Sequence, residues 1–256
     1  MAEQSRILKL GIHGFDGLFA TGIPSGSAVL VEGGPGSGKT NFCLTALLSL
    51  CKQGHKCLYM SFEEPEPRLR EHLSGFSIKP EELEKKGILK IKRFNALDIA
   101  RSVEALLSEA KKELLIDVQP VLIPTDFEPD IVFVDSLTSI SSAFSGEEYR
   151  FRIYMEQFFR YLEKNNITSF LIREVAHPTH TGDLFEEQGE AVSFLSDGII
   201  AIYNTLYTDT GKRGRALEVV KMRGTEFKRQ IVEFEITKEG LKVYAERMLK
   251  GPYKLT

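Results

Sequence analysis

"VLVEGGPGSGKTNFCLTALLSL", residues 29–50, sets an apolar run, a glycine-rich stretch and a second apolar run end to end. Val29–Val31 reads as a short buried strand and Gly33 to Gly38 as a loop. Thr40–Leu50 reads as a helix, because Phe42, Leu44, Leu47 and Leu48 recur at near-helical spacing. Gly33, Gly38, Lys39 and Thr40 occupy the fixed places of G-x-x-x-x-G-K-[ST], the P-loop. Glycines there remove the Cβ atoms that would keep backbone N–H groups away from a phosphate, and the helix that follows aims its positive dipole end at the same point. Gly33, Gly34, Pro35, Gly36, Ser37 and Gly38 are therefore the expected phosphate cradle. Lys39 is expected to reach the outer phosphates as a point charge, and the Thr40 hydroxyl to help hold Mg²⁺.

At 256 residues and 42% hydrophobic content the chain can bury one large core, and nothing in it demands a second domain, so one domain over 1–256 is expected. The net charge of −3 gives no electrostatic case for a polyanionic partner. Cys43, Cys51 and Cys57 lie on or beside the first helix without C-x-x-C spacing, so they read as packing residues in a reducing compartment. No apolar run approaches the ~20 residues of a membrane span, and "MAEQSRILKL" lacks the apolar region of a signal peptide. A soluble cytoplasmic protein is the expectation.

Strand patterns recur at Ala28–Val31, Cys57–Phe62, Ile88–Arg93, Ile131–Asp135, Thr168–Ile172 and Gly198–Tyr203. Helical patterns lie between them near Thr40–Lys52, Arg68–Leu73, Leu97–Leu115 and Glu147–Lys164. This alternation predicts an α/β fold with a mostly parallel central sheet flanked by helices. After residue 198 the pattern becomes strands joined by tight turns at Thr210–Gly211 and Lys238–Gly240, hence antiparallel C-terminal strands added to one edge. Lys111–Pro129 carries three prolines and reads as an irregular excursion.

Hydrolysis at a P-loop also needs a carboxylate for Mg²⁺ and a group to orient water. "IVFVDS" ends in Asp135 at the carboxyl end of its strand, where open α/β sheets place their ligands, and Asp135 is the Mg²⁺ candidate. "CLYMSFEEPEPRL" ends in Glu63 and Glu64 as the chain turns toward a helix. With the P-loop expected on the neighbouring strand, either could polarise water against a γ-phosphate; the bland alternative is one solvated glutamate and one helix cap. Strand alternation would send the two side chains in different directions, leaving open which one faces the nucleotide.

"GIPSGSAVLVEGGPGSGKT", "YMSFEEPEPRL", "DIVFVDSLTSI", "LSDGIIAIYN", "ALEVVKMRGTEF" and "FEITKEGLKVY" occur in the order found in KaiC-like ATPases of the RecA superfamily, in a match that runs from about residue 11 to 245. The chain resembles that family over nearly its whole length, with the "FEE" strand end and "KMRGT" more diagnostic than the P-loop. The resemblance implies a RecA-like P-loop NTPase with ATP and Mg²⁺ as cofactors, slow hydrolysis and a homo-oligomeric ring, expected to be a hexamer, that regulates or drives a partner protein. It also implies that the lysine and arginine of "KMRG", here Lys221 and Arg223, reach the γ-phosphate held by the neighbouring subunit. Read without the resemblance, the two would be exposed basic side chains on an edge strand.

The chain departs from the family in having "FAT" at 19–21, where the family is richer in glycine, and a longer approach through Lys111–Pro129. The segment matching the DNA-facing loop of recombinases carries Asp183, Glu186, Glu187 and Glu190 between Thr179 and Glu190, with no lysine or arginine. Phosphate neutralisation needs the opposite sign, so DNA binding is expected to be weak or absent. That weighs against a DNA-repair accessory ATPase of the RadA-paralogue type. A scaffold with little hydrolysis is weighed against by the full set of Lys39, Asp135, Glu63/Glu64 and Arg223. Thr179, Thr181 and Ser193 are loop hydroxyls for which autophosphorylation is not expected, and His177 and His180 lack a third ligand for a metal.

Overall fold

The computed structural model describes residues 7–76, 79–110, 123–175 and 192–255. Two short strands, β1 (Ile7–Leu8) and β2 (Ile23–Pro24), pair antiparallel at the N-terminus. The main elements follow in the order β3 (Ala28–Gly33), α1 (Lys39–Lys52), β4 (Cys57–Ser61), α2 (Glu66–Ser74), α3 (Pro80–Lys85), β5 (Leu89–Arg93) and α4 (Ala96–Ala110). Then come β6 (Ile131–Asp135), α5 (Leu137–Ala143), α6 (Glu148–Lys164), β7 (Thr168–Glu174), β8 (Gly198–Tyr207), β9 (Arg213–Met222), β10 (Val232–Thr237), β11 (Gly240–Met248) and β12 (Tyr253–Leu255).

The large sheet runs β11-β10-β9-β8-β3-β7-β6-β4-β5, with β12 pairing β8 off that path. Every pair from β8 through β3, β7, β6 and β4 to β5 is parallel, whereas β8/β9, β9/β10 and β10/β11 are antiparallel. The expected α/β architecture with antiparallel C-terminal strands is therefore the observed one. Two placements differ from expectation. The P-loop strand β3 is separated from β4 by β7 and β6, because parallel neighbours require crossovers and consecutive strands need not be adjacent. In addition, β9 is an interior strand, since the β10–β11 hairpin extends the sheet beyond it.

The apolar runs are continuous because both faces of the parallel strands are covered. Val29 and Val31, Tyr59, Phe133, Phe170 and Ile200 point into one core with Phe42, Leu47 and Leu50 of α1. Leu30, Leu58, Met60, Val132, Val134 and Leu171 point into the other, against Met155, Phe158 and Leu162 of α6. On the first side α1 also touches the C-terminal hairpin. Gly240, at φ +111°, lets the hairpin turn come so close that a Cβ would sit 2.7 Å from Thr45 Cγ2, and Leu241 N donates to Thr45 Oγ1 at 3.2 Å.

Phe42 ties α1 to the N-terminal segment: it is fully buried and meets Phe15 edge-on at 5.1 Å between centroids. Phe42→Ala should cost about 3–5 kcal/mol, read as a lowered urea midpoint with an unchanged slope. A midpoint within error of the wild type would mean that α1 is not anchored through this side chain.

Candidate functional site

The carboxyl ends of β3, β7, β6 and β4 meet the first turn of α1. Gly38, the residue before α1, has φ +111° and Gly36 has φ +70°, backbone that glycine adopts at little cost. Gly33 is required by proximity: a Cβ there would lie 2.2 Å from Ile202 O and 2.7 Å from Ser37 Oγ. No side chain caps α1, so its first N–H groups are left for a ligand, and the buried Ser37 hydroxyl has no hydrogen-bond partner among the described residues. Such a cradle of open donors at a helix N-terminus fits a phosphate.

Around it the structure assembles most of the candidate residues. Thr40 Oγ1 donates to Asp135 Oδ2 at 3.1 Å, bringing the two candidate Mg²⁺ ligands together across α1 and β6. Burial pushes the Asp135 carboxyl above its ordinary range, with the charges of Glu63 and Glu64 adding to the rise and hydrogen bonds from Tyr59 and Thr40 opposing it. A divalent cation beside Thr40 and Asp135 would relieve that cost, so the donor set fits Mg²⁺. Lys39 is 6% exposed; its Nζ donates to Gly34 O at 2.9 Å and lies 3.4 Å from Glu174 Oε1.

β4 ends at Ser61, so Glu63 and Glu64 sit in the bend beyond it. Their side chains diverge because of that bend, not because of strand alternation. Glu63 Oε1 accepts from Ser136 Oγ at 2.6 Å and Ser139 Oγ at 2.9 Å, hydroxyls of the α5 cap and first turn. Glu64 lines a cleft with Thr40, Asn41 and His72. Its Oε2 lies 3.3 Å from His72 Nδ1 and 3.9 Å from Arg68 Nε, but neither approach is aligned as a hydrogen bond. Glu64 Oε2 is thus buried against His72 and Arg68 while the side chain as a whole stays 30% exposed at the cleft, whereas Glu63 Oε1 is held by two serines.

β9 is not the sheet's edge strand, which corrects the expectation, although β10 pairs it only at Ala216 and Leu217. Lys221 lies near the end of interior strand β9, half-buried, and donates to Ser193 O at 3.0 Å and Ser196 O at 2.5 Å. Burial lowers its pKa from the ordinary lysine value, and the neighbouring charge of Arg223 lowers it further. Arg223 follows the strand, 58% exposed, and pairs with Asp197 at 3.3 Å. None of its contacts is to the P-loop of its own chain among the described residues.

Three contributors are hidden from sequence reasoning. Tyr59 donates to Asp135 Oδ2 at 2.7 Å, and burial holds the phenol well above its ordinary pKa, so it stays a neutral donor. Tyr59 reads in sequence as one more apolar strand residue. Glu174 is supplied by β7, whose register sets it opposite Gly33. Glu32, fully buried just before the P-loop, pairs with Arg173 at 2.5 Å. The hydroxyl-rich "DSLTSIS" was the available signal for the serines that hold Glu63. The acidic segment 179–190, His177 and His180, and 111–122 of the proline-bearing excursion lie outside the described residues; Ile123–Pro129 has no helix or strand.

Comparison with known proteins returns the same picture. A family described as "ATPase: KaiC" matches residues 8–248. A UPF0273 protein of Methanopyrus kandleri is 30% identical over 247 residues, covering 94% of this chain and 93% of that protein. The circadian clock oscillator protein KaiC of Thermostichus vulcanus is 28% identical over 235 residues, which are 91% of this chain but 41% of KaiC. Among solved structures, a KaiC-like protein of Pyrococcus horikoshii superposes with a TM-score of 0.72 at 25% identity, over 94% of this chain and 99% of that one. With a P-loop, an acid-ended β6 and this strand order already in place, the match over nearly the whole length means that the chain belongs to the KaiC family of RecA-type ATPases.

Proposed function

We propose that the chain binds Mg·ATP in its P-loop and hydrolyses it slowly, as one 1–256 domain in a ring of identical subunits, expected to be a hexamer. In this reading the ring acts in the cytoplasm, and its nucleotide state regulates or drives a partner protein. The observation that carries ATP binding is the convergence of Lys39, Thr40 and Asp135 on an uncapped helix N-terminus, with Thr40 and Asp135 in contact at 3.1 Å. Mg²⁺ held there would neutralise charge on the outer phosphates. Lys39 binds those phosphates and Tyr59 holds Asp135 in place. Glu64, which lines the cleft with Thr40, orients the attacking water, and Glu63 fixes the turn from which Glu64 projects. Lys221 and Arg223 serve the next subunit's γ-phosphate, a role supported by the family resemblance and by their contacts among the described residues, which go to the 193–197 segment and not to their own P-loop. No helix among the described residues is long and apolar enough to cross a membrane.

Size-exclusion chromatography with light scattering, in Mg·ADP, Mg·ATP and a non-hydrolysable analogue, tests assembly. Phosphate release from the same samples tests turnover. Assembly favoured by the triphosphate, with slow release, is the expected result. A monomer in all three nucleotides removes the ring from the proposal, and no phosphate above the Lys39→Ala background removes the enzyme.

A further inference from the structure

Lys39 is a buried ammonium, and such a charge is costly unless a partner neutralises it. Glu174 is that partner in the nucleotide-free site, at 3.4 Å. The backbone holds it there: Glu174 pairs with Gly33 in the β3/β7 ladder, Val175 N donates to Gly33 O at 3.3 Å, and Glu174 N donates to Thr138 Oγ1 at 2.8 Å. The carboxylate is 44% exposed, so it can swing from Lys39 into solvent without losing that anchorage. Nothing in the proposed hydrolysis uses it.

We propose that Glu174 is a positioning residue, the counter-ion that Lys39 exchanges for the terminal phosphate, and that it sets how strongly the site prefers triphosphate over diphosphate. The inference rests on the reading of this P-loop as an ATP site. A γ-phosphate would compete with the Glu174 carboxylate for the same ammonium and meet its like charge within a few ångströms. A diphosphate ends one group earlier and leaves more of the Lys39–Glu174 pair intact. The acid therefore penalises ATP more than ADP, while keeping Lys39 in place when the site is empty.

The test is equilibrium titration of wild type, Glu174→Gln, Glu174→Asp and Lys39→Ala with Mg·ADP and a Mg-bound non-hydrolysable ATP analogue. Glu174→Gln keeps the size and removes the charge, so the preference for the triphosphate should rise on the order of tenfold. Glu174→Asp, whose shorter arm stands off from both groups, should move it the same way by less, and carries the test if the glutamine variant does not fold. A merely structural role would weaken both nucleotides together and leave their ratio alone. A ratio within twofold of wild type, or one shifted toward ADP, overturns the inference. If wild type binds neither nucleotide, or Lys39→Ala binds both as wild type does, the ATP reading fails. If those controls behave and only the glutamate variants keep the wild-type ratio, the Glu174 inference fails alone.

Discussion

Changing Glu63 and Glu64 together to glutamine should leave Mg·ATP binding within a few-fold of wild type and lower phosphate release by at least ~10², the cost typical of losing a positioned general base. Glutamine keeps the volume and one acceptor oxygen, so Ser136 and Ser139 can still donate toward position 63. Lost with the charges is the ability to draw a proton from water. The single variants divide the effect. Glu64 lines the cleft with Thr40, whereas Glu63 is tied to two serines, so Glu64→Gln should carry most of the loss. Glu63→Gln should cost less, through a looser turn. Both charges also raise the pKa of Asp135, so their removal should make Asp135 easier to ionise and should not weaken the hold on Mg²⁺. Phosphate release from the double variant at the wild-type rate would remove both residues from the mechanism and send the search for the base elsewhere along the carboxyl ends of β6 and β7.

What could be read from the chain alone follows the range over which each feature is encoded. The P-loop is local: glycines at φ +70° and +111° and a lysine in the first turn of α1 are fixed within a few residues, and the motif pointed to them directly. Asp135 was legible because an apolar strand that ends in an acid has few places to put it. The partners of those residues were not legible, because the sheet brings them together across long separations. Tyr59 is 76 positions from Asp135 and Glu174 is 135 from Lys39. Their meeting depends on the order β3-β7-β6-β4, which alternating strands and helices do not specify. The misplacement of Lys221 and Arg223 has the same origin. Tight turns identified the hairpins, but only the tertiary structure puts the β10–β11 pair outside β9 and makes β9 interior. Element ends moved for local reasons. β8 runs on to Tyr207 because β9 and β12 pair with its far end, and α4 begins at Ala96, after Asn95 Oδ1 accepts from Leu97 N.

An equimolar mixture of Lys39→Ala and Arg223→Ala subunits should recover activity that neither variant has alone. Lys39→Ala removes the charge that holds the outer phosphates in a subunit's own pocket. Arg223→Ala leaves that pocket whole, since in its own chain Arg223 touches Asp197 and the Phe194 carbonyl, and removes only what the subunit would offer next door. An arginine supplied across an interface stabilises charge developing in phosphoryl transfer, so its loss alone should cost on the order of 10³ in turnover. In head-to-tail rings assembled at random, about a quarter of interfaces would join an intact P-loop to an intact arginine, because each is present with a probability of about one half. Activity near that fraction of wild type, with subunit exchange verified by mass, is the expected outcome. The alternative makes a different forecast: if Arg223 acts only within its chain, through Asp197 and the 193–197 segment that Lys221 also grips, no mixed interface is complete and mixing restores nothing. That result would leave the P-loop chemistry standing and would take the shared active site out of the account of this protein.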